Sequence, residues 1–187
     1  LGQKKNFSIL VTSTQASEGK TTTSIALAKK FAKLGRKVLL VDVDLRRPSL
    51  QRTLGLERPR AGIVDVLFSR VPLADAVFAS VEENLDVLAV GEIPSNPVEI
   101  MSSGLFPEFV EKHRLDYDVM VFDSSPVLGI ADAPLLARHS DGVVFVLEAN
   151  RTNAGEAKAA IRRLRQMEAN IVGVILAKYR ALNAGQN

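Results

Sequence analysis

Six runs of apolar, largely β-branched residues recur along the chain, at Ser8 to Thr12, Val38 to Val41, Leu85 to Val90, Val119 to Phe122, Val143 to Leu147 and Ile171 to Leu176. Several are continuous and do not alternate, the pattern of strands buried on both faces. Between the first two, Ile25, Ala28, Phe31 and Ala32 fall at helical spacing and predict a helix over Thr21 to Leu34, with Gly35 placed to cap its C-terminus. A second helix is predicted over Ala154 to Met167, where Ala154, Ala157, Ile161, Leu164 and Met167 form one stripe. Lys158, Arg162, Arg163 and Arg165 lie mostly off that stripe. Strands alternating with helices predict an α/β three-layer sandwich, a mostly parallel sheet wound by right-handed crossovers with helices on both faces. In such sheets ligands sit beyond the carboxyl ends of the strands, so the residues after each strand carry the functional question. The stretch Gly91 to Pro107 reads as the main interior loop, and Leu1 to Asn6 and Arg180 to Asn187 as loosely held ends.

A length of 187 residues predicts one domain spanning 1–187. The 47% hydrophobic content supports a proper core, and a net charge of +3, with acids and bases interleaved, gives no reason to expect a nucleic-acid partner. With no cysteine, disulfides, thiolate metal sites and cysteine nucleophiles are excluded. The apolar runs are far shorter than the roughly 18 residues a membrane span needs. The first residue is Leu1 and no leader pattern follows it, so the chain reads as a soluble piece of something longer.

Three strand ends carry chemistry. After the first strand comes Thr14-Gln-Ala-Ser-Glu-Gly19-Lys20-Thr21, which fits the phosphate-loop pattern GxxxxGK[ST] with Thr14 in place of the first glycine. Backbone N–H groups at a helix N-terminus would meet the phosphates, Lys20 would add a mobile positive charge, and the Thr21 hydroxyl would ligate Mg²⁺. Gly19 would let the backbone approach closely. After the second strand, Asp42 and Asp44 alternate with apolar residues; if the chain stays extended, both face one metal-phosphate site. One could then hold Mg²⁺ or its waters while the other takes a proton from an attacking hydroxyl. The run Val119-Met-Val-Phe ends in Asp123, a Walker B arrangement supporting the metal. Together the three ends predict a binding site for ATP or ADP with Mg²⁺.

These residues resemble the deviant-Walker (partition and septum-site) group of P-loop ATPases, and within it the bacterial tyrosine kinases of capsule and exopolysaccharide export. The resemblance runs from about Phe7 to Lys178. It rests on Ser17-Glu-Gly-Lys-Thr-Thr-Thr23, on Asp42, Asp44 and Arg46, on Asp123-Ser-Ser-Pro126, and on Ser95-Asn-Pro97 followed by Glu99. It implies a P-loop kinase domain that autophosphorylates on tyrosine and regulates polysaccharide polymerisation and export. The loop Ser13 to Thr22, with Ser17, Glu18, Gly19, Lys20, Thr21 and Thr22, would hold the nucleotide. Lys20 would lie on the outer phosphates, Asp42 would be the base, and Thr21, Asp44 and Asp123 would organise the metal. It further implies a membrane-spanning chain-length-determinant or activator segment, fused or separate, self-association for phosphorylation in trans, and a place on the cytoplasmic face of the bacterial inner membrane. Two alternatives stand beside it: an ATP-binding switch of the export machinery that is not a kinase, and a partition-type ATPase.

The chain departs from these patterns at defined places. Partition-type ATPases carry a lysine five positions before Lys20, where this chain has Gln15, which favours the kinases. The kinases end in a tyrosine-rich tail, whereas the only tyrosines here are Tyr117 and Tyr179. No Glu-x-x-Arg-x-x-Arg segment precedes Phe7. Tyr117 reads as a packing residue with a polar partner, and His113 and His139 as surface or helix-end residues. Ser124 and Ser125 read as pocket lining, and Asp132 reads equally as a contact of the active site or as a helix N-cap. Arg162, Arg163 and Arg165 read as a solvated helix face. Arg46 reads equally as a functional residue or as half of a surface ion pair.

Overall fold

The computed structural model describes residues 6–179. The expectation of loose ends therefore falls outside the described residues, except at Asn6, whose side chain donates to the backbone carbonyls of Arg114 and Tyr117. In chain order the elements are β1 (Phe7–Ser13), α1 (Lys20–Lys33), β2 (Val38–Asp42), α2 (Leu50–Thr53), α3 (Ile63–Leu67), α4 (Leu73–Ala76), β3 (Phe78–Glu82) and β4 (Leu85–Leu88). There follow α5 (Pro97–Ser102), α6 (Leu105–His113), β5 (Val119–Asp123), α7 (Asp132–Ala137), β6 (Gly142–Glu148), α8 (Ala154–Gln166) and β7 (Ile171–Ala177). The strands form one sheet in the order β3-β4-β2-β5-β1-β6-β7, parallel throughout except for the β3–β4 pair.

The continuous apolar runs are buried on both faces. On one face Leu10, Met120, Phe122 and Phe145 pack with residues of α3, α6, α7 and α8, and Phe106 meets Phe122 edge to face. On the other, Ile9, Val11, Leu40, Val119 and Val121 pack under Ala28 and Ala32 of α1 and Leu50 of α2. Successive residues of one strand therefore feed two cores, as the pleat requires. Edge strand β7 is the exception: its residues alternate in exposure, and Val172, Val174 and Leu176 are exposed.

Helices α2, α3, α4 and α6 lie where the pattern named no element, and two further elements show why such pieces escape it. Strand β3 is largely exposed, is bulged, and holds Ser80 in the left-handed region, so its sequence lacks the apolar run that marks the others. Helix α5 falls inside the expected loop: Pro97 presets the first helical turn, and Asn96 donates to the Glu99 carboxylate across it. Among the described residues, no helix is long and apolar enough to cross a membrane.

Candidate nucleotide site

The parallel register brings the three strand tips together. Asp42 at the end of β2 stands directly opposite Asp123 at the end of β5, and Val11 of β1 pairs with Asp123 from the other side. Above these tips opens a cavity of about 1070 Å³, lined by Gln15, Ser17, Gly19, Lys20, Thr21 and Thr22 on one side and by Asp44, Arg46, Arg47 and Arg52 on another. The loop between β1 and α1 is held in a wound conformation with Ser17 and Gly19 both at positive φ. At Gly19 a side chain would be strained by that φ and would sit 3.2 Å from the Ala177 Cβ.

Glu18 does not face the cavity. Its buried carboxylate accepts from the Gln15 N–H on one oxygen and from the Thr152 hydroxyl on the other, so it braces the loop against the turn after β6. Lys178, just past β7, donates to the Ser17 carbonyl at 2.6 Å and pairs with Glu148 at 3.0 Å. The loop's shape is thus set from β6, β7 and their connections as well as from its own sequence. Gln15, where partition-type ATPases carry lysine, donates instead to Glu156 of α8.

The paired acids are not side by side on an extended strand. Strand β2 ends at Asp42 and the chain turns: Asp42 Oδ1 accepts from the Asp44 N–H, and Oδ2 from the N–H groups of Ser49 and Leu50. The turn arises because a short acidic side chain offers acceptors to backbone N–H groups that no strand ladder pairs. Asp42 is therefore 1% exposed beneath the cavity, while Asp44 reaches its wall. Asp123 is buried as well and accepts from the Ser24 hydroxyl of α1 at 3.0 Å. Burial, reinforced by the Asp123 charge, pushes the Asp42 carboxyl up to about 8. Burial likewise raises Asp123 to about 6, against the pull of the Thr21 and Ser24 hydroxyls and the Lys20 charge. Two adjacent, poorly solvated carboxylates, of which Asp123 feels the charge of Lys20, favour a cation between them.

That donor set suits Mg²⁺ in particular. Hard oxygen donors are close together, yet the described residues contain no cluster of three or more His, Cys, Asp or Glu able to hold a metal by themselves. Magnesium sites of one or two carboxylates completed by substrate phosphates and water have this character. Thr21 and Ser49 share a hydroxyl–hydroxyl hydrogen bond of 2.8 Å at the cavity wall, a contact that either could exchange for a metal or phosphate oxygen.

Other expectations resolve plainly. Ser124 and Ser125 are buried beneath the cavity and do not line it; Ser124 donates to the Val11 carbonyl and stitches β5 to β1. Asp132 is not an N-cap but the first residue of α7, and it binds Arg46. His113 ends α6 as expected but is buried, with Nδ1 against Asp116. Tyr117 packs in the core with its hydroxyl donating to Asp86, whereas Tyr179 is 66% exposed. On α8, Arg162 and Arg165 are exposed as expected, whereas Arg163 is half-buried and donates to the Val127 carbonyl. Ser95, Asn96 and Glu99 line a separate cavity of about 580 Å³ beside α3 and α5, away from the phosphate loop. The bracing by Glu18, Thr152 and Lys178 joins residues more than 130 positions apart, for which local sequence carries no signal.

Comparison with known proteins agrees with this geometry. Residues 8–172 match the AAA domain family. The chain is 38% identical over 169 residues to tyrosine-protein kinase YwqD of Bacillus subtilis (strain 168), covering 90% of this chain and 71% of that protein. It is 30% identical over 171 residues to the putative tyrosine-protein kinase CapB of Staphylococcus aureus, covering 91% of this chain and 75% of that protein. Among solved structures, the VpsO kinase domain superposes with a TM-score of 0.89 at 33% identity, covering 95% of this chain and 87% of that one. The septum site-determining protein MinD of Pyrococcus horikoshii OT3, complexed with Mg-ADP, gives a TM-score of 0.79 at 25% identity over 95% of this chain and 72% of that one.

Proposed function

Because this chain belongs to the bacterial tyrosine-protein kinases, we propose that it is an ATP- and Mg²⁺-dependent protein-tyrosine kinase domain acting in the control of polysaccharide export. The observation that carries this reading is the convergence of the β1, β2 and β5 tips on one cavity that presents Lys20, Thr21 and Asp44 above the buried pair Asp42 and Asp123. In this reading the loop from Ser13 to Thr22 turns its N–H groups on the phosphates, and Lys20 offsets charge on the outer two. Thr21, Asp44 and Asp123 hold the metal and its water shell; bound Mg²⁺ supplies charge neutralisation on the phosphates. The tyrosine oxygen bonds to the outermost phosphorus as the bond from that phosphorus to the bridging oxygen of ADP breaks, and the phenolic proton passes to a carboxylate.

Asp42 is assigned as that proton acceptor. Burial raises its pKa above the ordinary carboxylate range, which makes the ionised group a stronger base, and each of its oxygens has two lone pairs, only one of which is engaged on Oδ1. One observation favours a second reading: Asp44, and not Asp42, lines the cavity. Of the two tyrosines between Leu1 and Asn187, Tyr117 is enclosed and Tyr179 is exposed, so Tyr179 is the accessible acceptor of the pair. Self-association for transfer in trans, a membrane-spanning activator and a site at the inner membrane's cytoplasmic face complete the proposal.

The test is phosphotyrosine formation from labelled Mg-ATP, followed as a function of pH. The parent should incorporate label, and Lys20→Met should incorporate none. Asp42→Asn should lower the rate by about 10²-fold or more and remove the rise in rate as the carboxylate ionises. If that rise survives in Asp42→Asn and disappears in Asp44→Asn, the base is Asp44. An unlabelled parent that still binds ATP would replace the kinase with a nucleotide-dependent switch.

A further inference from the structure

Asp132 and Arg46 form a contact that the assignments above leave without a role. Asp132 opens α7, 86 residues along the chain from Arg46, and its side chain is 1% exposed. Its Oδ2 accepts from Arg46 Nε at 2.9 Å, and its Oδ1 is buried with no hydrogen-bond partner. A carboxylate withdrawn from water is unfavourable unless it is paired and its lone pairs are satisfied, and here the pairing is half complete. Arg46 itself is 38% exposed and lines the nucleotide cavity together with Lys20, Thr21 and Asp44. The contact occupies one of its five N–H donors, so the terminal amino groups remain for an anion in the cavity. The same guanidinium could turn to give Oδ1 a second bond, the bidentate geometry that arginine and carboxylate prefer.

We propose that Asp132 is a positioning residue that holds the Arg46 guanidinium against the outermost phosphate of a bound nucleoside triphosphate. Arg46 follows the β2 tip and lines the same cavity as Lys20, which the functional reading places on the outer two phosphates. Anchored at Nε, its planar fork meets the third phosphate without first being ordered, and a diphosphate leaves it with nothing to bind. Arg46 thereby makes the site sensitive to the third phosphate, and α7 is tied to that sensing through Asp132. The inference rests on the nucleotide-binding part of the functional reading and not on kinase activity.

The test is a double-mutant cycle read by calorimetry, with Mg²⁺ and a non-hydrolysable ATP analogue in one arm and Mg-ADP in the other. Asp132→Asn and Arg46→Ala should each weaken the analogue about 10-fold. The double variant should lose no more than either single, because the two side chains act as one unit. Mg-ADP affinity should stay within about 2-fold of the parent throughout, since the diphosphate does not use the fork. Arg46→Lys, which keeps the charge and loses the fork, should recover only part of the loss. Analogue binding unchanged in Arg46→Ala would overturn the proposal. So would a loss in Asp132→Asn shared equally by both nucleotides and accompanied by a lower melting temperature, the signature of a purely structural link. A parent that binds neither nucleotide would remove the site itself, which is distinguishable from variants that bind both like the parent.

Discussion

At the scale of single residues, the chemistry of this site is dominated by carboxylates denied water. Asp42 combines burial, a carboxylate neighbour in register and three backbone N–H donors; the first two raise its pKa and the donors pull it down. The sign follows from linkage. Below about pH 4 the group is protonated in both folded and unfolded chains. Between the ordinary value of 3.8 and the folded value of about 8 the unfolded chain has lost the proton and the folded one keeps it. The ligand-free protein should therefore lose stability from this group as pH rises across that window. Thermal melts at stepped pH should show a steeper fall in the parent than in Asp42→Asn. Added Mg²⁺ should flatten the parent's slope by favouring the ionised form. Equal slopes in parent and variant would mean that Asp42 is not the group titrating. The acids at the ends of apolar runs are legible as residue types in the chain; which oxygens remain open is not, because that depends on where β2 stops and the backbone turns.

At the scale of elements, the phosphate loop owes its wound shape to distant parts of the chain. The loop hangs between β1 and α1, but its bracing comes from elsewhere: Glu18 is held by Thr152 in the turn after β6, and Ser17 by Lys178 after β7. Replacing Glu18 by Ala would leave the Gln15 N–H and the Thr152 hydroxyl without their acceptor, at a cost of about 1–3 kcal/mol. The variant should therefore unfold at lower denaturant concentration with an unchanged m-value and bind Mg-ADP more weakly than the parent. Unaltered nucleotide affinity would show that the brace is not what shapes the loop. Elements with a strong period, β1, β2, β4 to β7, α1 and α8, are recognisable from pattern because both the strand cores and the helix stripes need apolar residues at fixed spacing. Strand β3 and helices α2 to α6 are not. The strand is nowhere fully buried and so lacks a continuous apolar run, and the helices run four to nine residues, too short for a sustained period.

Across the whole molecule, the parallel sheet acts as a frame that gathers groups more than a hundred residues apart onto one rim. A ligand that binds only this assembled rim must stabilise the fold by mass action, by about 2.7 kcal/mol at a hundredfold excess over its dissociation constant. For a chain of this size that corresponds to a rise in melting temperature of about 5–10 °C. Mg-ADP should produce such a rise, and chelating the metal should remove most of it; a shift indifferent to the chelator would discard the assignment of Thr21, Asp44 and Asp123 to the metal. The amino-acid sequence by itself determined the layered α/β architecture, the loop bearing Lys20 and Thr21, and the acids that end β2 and β5, because periodicity and motif spacing are local properties of the chain. Only the tertiary structure decided that Asp42 lies beneath the cavity while Asp44 faces it, that Asp132 reaches Arg46, and that Gly62 must stay bare because a Cβ there would lie 2.3 Å from the backbone of Val90 and Gly91. Those outcomes depend on which strand tips become neighbours, and neighbourhood is set by sheet order and burial acting on the chain as a whole.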